Sequence, residues 1–111
     1  MKKKIEALSV IMSVKDGEKF LHKAIQSITN QTFKNFEFII INNDSIDSTQ
    51  EILENFLKKN SRIKILKNFN NETLYQARIE AIKEAKYEWC ALMDADDECH
   101  PQRFQKQVDF I

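Results

Sequence analysis

At 111 residues with 42% hydrophobic content, the chain has enough apolar material for one small domain and too little length for two. Its 17 basic and 17 acidic side chains cancel, so no overall field draws it to nucleic acid or to an anionic membrane, and any partner must be recognised locally. The single glycine, Gly17, excludes the G-x-G-x-x-G fingerprint, the Walker A loop and the G-x-S-x-G elbow, each of which needs at least two.

No apolar run approaches the roughly 20 residues that span a bilayer, and the start Met1-Lys2-Lys3-Lys4 lacks the apolar segment of a signal peptide. The expected place is the cytoplasm, with a peripheral position at the membrane open to the full-length protein. Cys90 and Cys99 match neither a zinc spacing nor a disulfide framework and read as free thiols. His22 and His100 come with no triad signature.

In chain order, Leu8-Ser9-Val10-Ile11-Met12 reads as a first strand. Asp16 is then expected to cap a helix beginning near Gly17, with Phe20, Leu21, Ala24, Ile25 and Ile28 on its apolar face and Asn30 closing it. Phe36 to Ile41 is a second strand, followed by the polar turn Asn42-Asn43-Asp44-Ser45. Ser48-Thr49-Gln50-Glu51 has capping-box spacing for a second helix with Ile52, Leu53, Phe56 and Leu57 inward. Ile63 to Leu66 is a short third strand, and Asn68 to Asn71 a polar loop. Leu74, Ala77, Ala81, Ile82 and Ala85 mark a third helix whose alanines suit close packing on a sheet. Trp89 to Met93 reads as a buried fourth strand, and Pro101 suits the first turn of a fourth helix. The chain stops at Phe110-Ile111 within an apolar pattern, which predicts the front part of a larger protein, as one domain over residues 1–111. The alternation predicts an α/β fold with a mostly parallel sheet and right-handed crossovers.

Asp94-Ala95-Asp96-Asp97 directly follows the fourth strand. In open parallel sheets ligands bind outside the carboxyl ends of the strands, and carboxylates this close repel one another unless a cation compensates them. The expected occupant is a divalent metal whose oxygen-rich shell is completed by phosphate oxygens. Asp96 is the expected metal ligand, with Asp94 toward a ribose and Asp97 supporting the loop or the sugar. A solvated loop that caps the fourth helix accounts for one acid but not for three. Cys99 and His100 could join a metal shell, but a plain surface loop is the favoured reading for the pair, because a hard oxygen site does not call for sulfur. An EF-hand is excluded by the missing glycine and by Pro101.

Asn42-Asn43-Asp44 supplies amide donors and acceptors at the same edge and could read a base, although a simple turn explains it equally well. Arg78 stands among the alanines of the third helix, an unusual place for a permanent charge. It could hold a phosphate or orient an acid, or snorkel to solvent.

These elements in this order resemble the family-2 nucleotide-sugar glycosyltransferases of GT-A fold. Ser9 to Val14 is similar to the family's opening strand, and Ala24 to Phe33 to its first helix and N-Q-T-F turn. Asn42 to Thr49 stands where the family has D-D-G-S-T-D, Ala77-Arg78 where it has A-R-N, and Leu92 to Asp97 where it has L-D-x-D-D. The resemblance covers Leu8 to Phe104. It implies the donor-binding half of an inverting enzyme that moves a sugar from a nucleoside-diphosphate sugar, UDP-linked by expectation, to the hydroxyl of a saccharide or lipid-linked acceptor. Asn43 then belongs near the base, Ser13, Lys15 and Arg78 near the nucleotide and Asp94 on the ribose, while Asp96 holds a Mg²⁺ or Mn²⁺ that bridges the diphosphate. The family places its catalytic base in a second half.

Ser13 stands in place of a proline, Lys15-Asp16 in place of a tyrosine-asparagine pair, Asn43 in place of an aspartate, Asp44 of a glycine and Ile79 of an asparagine. These departures carry a second reading, a degenerate non-catalytic GT-A module for binding or assembly. A receiver-like phosphoacceptor domain or an aspartate-nucleophile phosphatase would need its acids after the first strand, where Asp16 stands alone.

Overall fold

The computed structural model describes residues 5–67 and 73–110. Eight elements alternate: β1 (Leu8–Val14), α1 (Leu21–Thr29), β2 (Phe36–Asn42), α2 (Thr49–Lys59), β3 (Ile63–Lys67), α3 (Leu74–Glu84), β4 (Cys90–Asp94) and α4 (Arg103–Phe110). The strands form one sheet in the order β3-β2-β1-β4, with every pairing parallel. This is the expected α/β class with alternating helices.

Strand alternation divides the core into two layers. Leu8, Val10, Met12 and Val14 of β1 meet Phe38 and Ile40 of β2, the α1 face Leu21, Ala24, Ile25 and Ile28, Leu53 of α2 and Phe104 of α4. On the opposite side Ile11, Ile39 and Ile41 pack against Ala77 and Ala81 of α3. The small alanines let α3 lie close to the sheet, as their spacing predicts. Strands covered on both faces need no polar alternation, which is why β1 and β2 are nearly continuous apolar runs.

The fourth strand departs from expectation. In the run Trp89 to Met93, Met93 is buried, but Trp89 is 43% and Leu92 48% exposed, and Cys90 is exposed as well. The cause is position: β4 is an edge strand whose one partner among the described strands is β1, and α3 packs chiefly over β1 and β2. Apolar composition announces a strand, but it does not say which faces the fold will cover.

Two predicted caps are also corrected. Helix α1 starts at Leu21 with Phe20 as its N-cap and no side-chain cap bond. Asp16 lies well before it, and Phe20 is 44% exposed. At α2, Ser48 holds the N-cap position without a side-chain cap bond; the Asp47 carboxylate instead accepts the Thr49 N–H at 2.9 Å. The capping box that does form is at α3, between Thr73 and Gln76. Helix α4 begins at Arg103, with Pro101 in the turn before it. The predicted loop Asn68 to Asn71 and the terminal Ile111 lie outside the described residues.

Candidate functional site

The order β3-β2-β1-β4 creates a switch point: from β1 the chain runs outward to β2 and β3, then returns to place β4 on the other side. A crevice opens at the carboxyl ends of such neighbours. In register, Ser13 pairs with Asp94 and Val14 with Asn42. Asn43 and Asp94 therefore sit at one shared end of the sheet, as the sequence pattern predicts, with Ser13 and Lys15 at the same end.

Alternation then decides which way Asp94 turns. Leu92 is in register with Ile11, which faces α3, so Asp94, two residues on, is placed on the α3 side as well. Arg78 follows the buried Ala77 on that helix, and its Nη2 donates to Asp94 Oδ1 at 3.3 Å. Asp94 is largely exposed, so this pair adds at most about 1 kcal/mol of stability. Of the readings open to Arg78, the contact the structure shows is with an acid, Asp94.

Past β4, the Asp97 N–H closes a turn onto the Asp94 carbonyl at 3.2 Å. One ligand atom each from Asp94, Asp96 and Asp97 lies within 4.8 Å of the others, and all three residues are exposed. Three hard carboxylate oxygens converging on open solvent fit a Mg²⁺ or Mn²⁺ that keeps room for phosphate or water. Among the described residues, this is the group with metal-ligand geometry.

The far end of the acidic loop is tied to the end of α1. The side chain of Gln31 is fully buried; its Nε2 donates to the Ser27 carbonyl at 3.0 Å and the His100 carbonyl at 2.7 Å, and its Oε1 accepts the Phe104 N–H at 3.0 Å. The Thr32 N–H donates to the Pro101 carbonyl at 2.8 Å, and the Cys99 N–H to Ser27 Oγ at 2.9 Å. Cys99 is not a surface residue: it is buried with its sulfur 3.5 Å from Met93 Sδ, apart from the acids. His100 is exposed, and its Nδ1 accepts the Gln102 N–H.

At the end of β2, Asn42 turns out to be structural. It is buried, its amide donates to Gln50 Oε1 at 2.7 Å and its oxygen accepts the Ser45 N–H at 3.1 Å. Asn43 is held by its own N–H, which donates to the Val14 carbonyl at 2.8 Å. Sequence reasoning missed Gln31, Asp16 and Asp47 as supports of the loops around this edge, since each acts on a partner far along the chain. Burial pushes the Asp47 carboxyl up, but hydrogen bonds from the Thr49 hydroxyl and from the amides of Thr49, Glu18 and Asp47 itself outweigh it and leave its pKa below the usual value.

Fold and site together define an open parallel α/β domain with an acidic cluster at its switch point. The pattern of "Glycosyl transferase family 2" matches residues 9–111, and the chain belongs to that family as an N-terminal, GT-A-type portion. It is similar to the "Uncharacterized glycosyltransferase MJ1057" of Methanocaldococcus jannaschii, with 36% identity over 106 residues that make up 94% of this chain and 37% of the relative. Among solved structures it is similar to S. aureus TarS 1-349, with TM-score 0.84 and 26% identity over 94% of this chain and 32% of that one; TarS 1-349 has also been solved in complex with UDP. The mannosyltransferase PcManGT from Pyrobaculum calidifontis, solved with GDP-Man and Mn2+, shares the fold at TM-score 0.76 and 16% identity, over 82% of this chain and 28% of that one. The chain thus spans about a third of the length of these proteins. Among the described residues, no helix is long and apolar enough to cross a membrane.

Proposed function

We propose that the chain is the donor-binding portion of an inverting glycosyltransferase that takes its sugar from a UDP-linked donor and delivers it to the hydroxyl of a saccharide or lipid-linked acceptor. The observation that carries this reading is the convergence of Asp94, Asp96 and Asp97 within 4.8 Å at the sheet edge where β1 and β2 also end. Family membership and the UDP complex of TarS, at 26% identity, support it.

In this reading Asp96 holds Mg²⁺ or Mn²⁺, Asp94 meets the ribose under the direction of Arg78, and Ser13, Lys15 and Asn43 flank the base. The diphosphate would be repelled by three carboxylates, and a divalent ion supplies the positive charge that joins them and offsets the charge growing on the departing nucleoside diphosphate. Asn43 accepts a base N–H without the charge-assisted strength of a carboxylate. We assign the catalytic base to no residue described here, and residues 1–111 are read as one domain. Trp89, Leu92 and Phe110, exposed along β4 and α4, favour self-association into a homodimer, which sedimentation equilibrium reporting a strict monomer would overturn.

Calorimetric melting with UDP and Mn²⁺ tests the donor reading. Ligand at about 100 times its dissociation constant adds about 2.7 kcal/mol, a rise of about 10 °C or more in Tm for a domain of this size. Chelation of the metal, or Asp96→Ala, is expected to remove the rise. Equal stabilisation without metal would sink the metal–diphosphate arrangement. No stabilisation at all would favour the degenerate binding module, which the lysine and asparagine at positions 15 and 43 already suggest.

A further inference from the structure

The loop after β1 and the loop after β2 are bound to each other by a reciprocal set of hydrogen bonds. From the first loop, the Asp16 N–H donates to Ser45 Oγ at 2.9 Å, the Gly17 N–H to Thr49 Oγ1 at 2.9 Å and the Glu18 N–H to Asp47 Oδ2 at 3.1 Å. From the second, the Ile46 N–H donates to Asp16 Oδ1 at 2.8 Å and the Ser48 N–H to Glu18 Oε2 at 3.0 Å. Asp16 thus closes a two-way bridge, donating through its backbone and accepting through its side chain.

Two further observations show that this bridge is specified and not incidental. Among the described residues, the non-glycine positive φ values are those of Asp16 (51°) and Asp44 (52°), one in each loop. Left-handed backbone is tolerated by aspartate better than by most residues but still costs energy, and it persists where the surroundings hold it. The chain's one glycine completes the arrangement: a Cβ on Gly17 would lie 2.5 Å from Val14 Cγ2, so the first loop passes against the end of β1 as only glycine allows.

Lys15 directly precedes Asp16, and Asn43 directly precedes Asp44. We propose that Asp16 is a positioning residue for the nucleotide base, its carboxylate holding the second loop at Ile46 against the first, beside Lys15 and Asn43, which the Asn43 N–H to Val14 carbonyl bond already brings together. This rests on the donor reading above. The lock lies on the base side, while the acids that face the diphosphate sit on the far side of β1, after β4. Loosening it should therefore affect a ligand that has a base and spare one that lacks it.

Titration calorimetry in Mn²⁺ with two probes, UDP and inorganic pyrophosphate, tests this on two variants. Asp16→Gly keeps the left-handed backbone and deletes the acceptor, whereas Asp16→Asn keeps both. Asp16→Gly should weaken UDP by up to about tenfold, the equivalent of one ordinary hydrogen bond, and leave pyrophosphate unchanged; Asp16→Asn, which keeps an acceptor oxygen, should restore most of the UDP binding. A parallel loss of both probes, unchanged UDP binding in the glycine variant, or failure of asparagine to rescue would each overturn the positioning role alone. If the parent chain binds neither probe, the donor reading itself fails and the positioning role falls with it.

Discussion

β1 and β4 lie side by side in one sheet and pair in register from Ser9 with Cys90 to Ser13 with Asp94, yet they are built for different ends. All seven residues of β1 are buried, while of the five in β4 Met93 alone is. The difference teaches where this chain keeps its stability and where it keeps its chemistry. A central strand covered on both faces can be apolar throughout and carries the fold. An edge strand that ends in solvent can carry carboxylates that a buried strand could not keep charged.

The largest test of that contrast compares one apolar truncation in each region. Phe38→Ala, at a fully buried position in the centre of β2, should cost about 3–5 kcal/mol and lower Tm by more than about 10 °C. Leu92→Ala, at 48% exposure on β4, should stay within about 0.5 kcal/mol. Urea melts of the two variants read both values. If the losses are equal, β4 carries as much of the core as β2 and the contrast breaks.

Much of this division is legible in the residues, and the remainder is hidden for a definite reason. Apolar runs and helical spacing mark all four strands and all four helices, because a continuous apolar run and a 3.6-residue period are both local signals. The acids after β4 are legible too, since parallel alternation places every strand end on one edge. What local pattern cannot reveal is which neighbour a side chain will find. Asp16 before an apolar helix looks like a cap, but its carboxylate finds Ile46, 30 residues on. Ser48 and Glu51 have capping-box spacing, but Asp47 takes the Thr49 amide first. Burial of the Trp89 to Met93 run likewise depends on the strand's place in the sheet, and β4 falls at an edge. The roles proposed for Ser13, Lys15 and Asn43 come from the family resemblance, which periodicity alone does not supply.

A smaller effect is expected where the two regions are joined. Gln31→Ala removes one buried acceptor and a donor group, leaving the Phe104 N–H and the His100 carbonyl without their partners. An unsatisfied buried group costs about 1–3 kcal/mol, so the loss should fall below that of Phe38→Ala. It should also fall unevenly. Amide exchange is expected to quicken over the acidic loop and the start of α4 while β1 and β2 keep their protection. Uniform acceleration across the sheet would show that Gln31 supports the whole core and not the join.

The smallest effect on stability should come from the residue that matters most to the proposed chemistry. Asp96 is exposed and shares its neighbourhood with Asp94 and Asp97. Its removal deletes no packing and takes one negative charge from a cluster in which like charges repel. Asp96→Ala should therefore leave the unliganded chain within about 0.5 kcal/mol of the parent, as exposed positions generally do, while abolishing metal-dependent stabilisation by UDP. The order of effects on the bare fold then runs opposite to the order of effects on the ligand. A loss of more than about 2 kcal/mol in the unliganded Asp96→Ala chain would exceed the ordinary range for exposed positions. It would mean that the acidic loop is part of what holds the sheet together, and that β4 does not divide chemistry from stability.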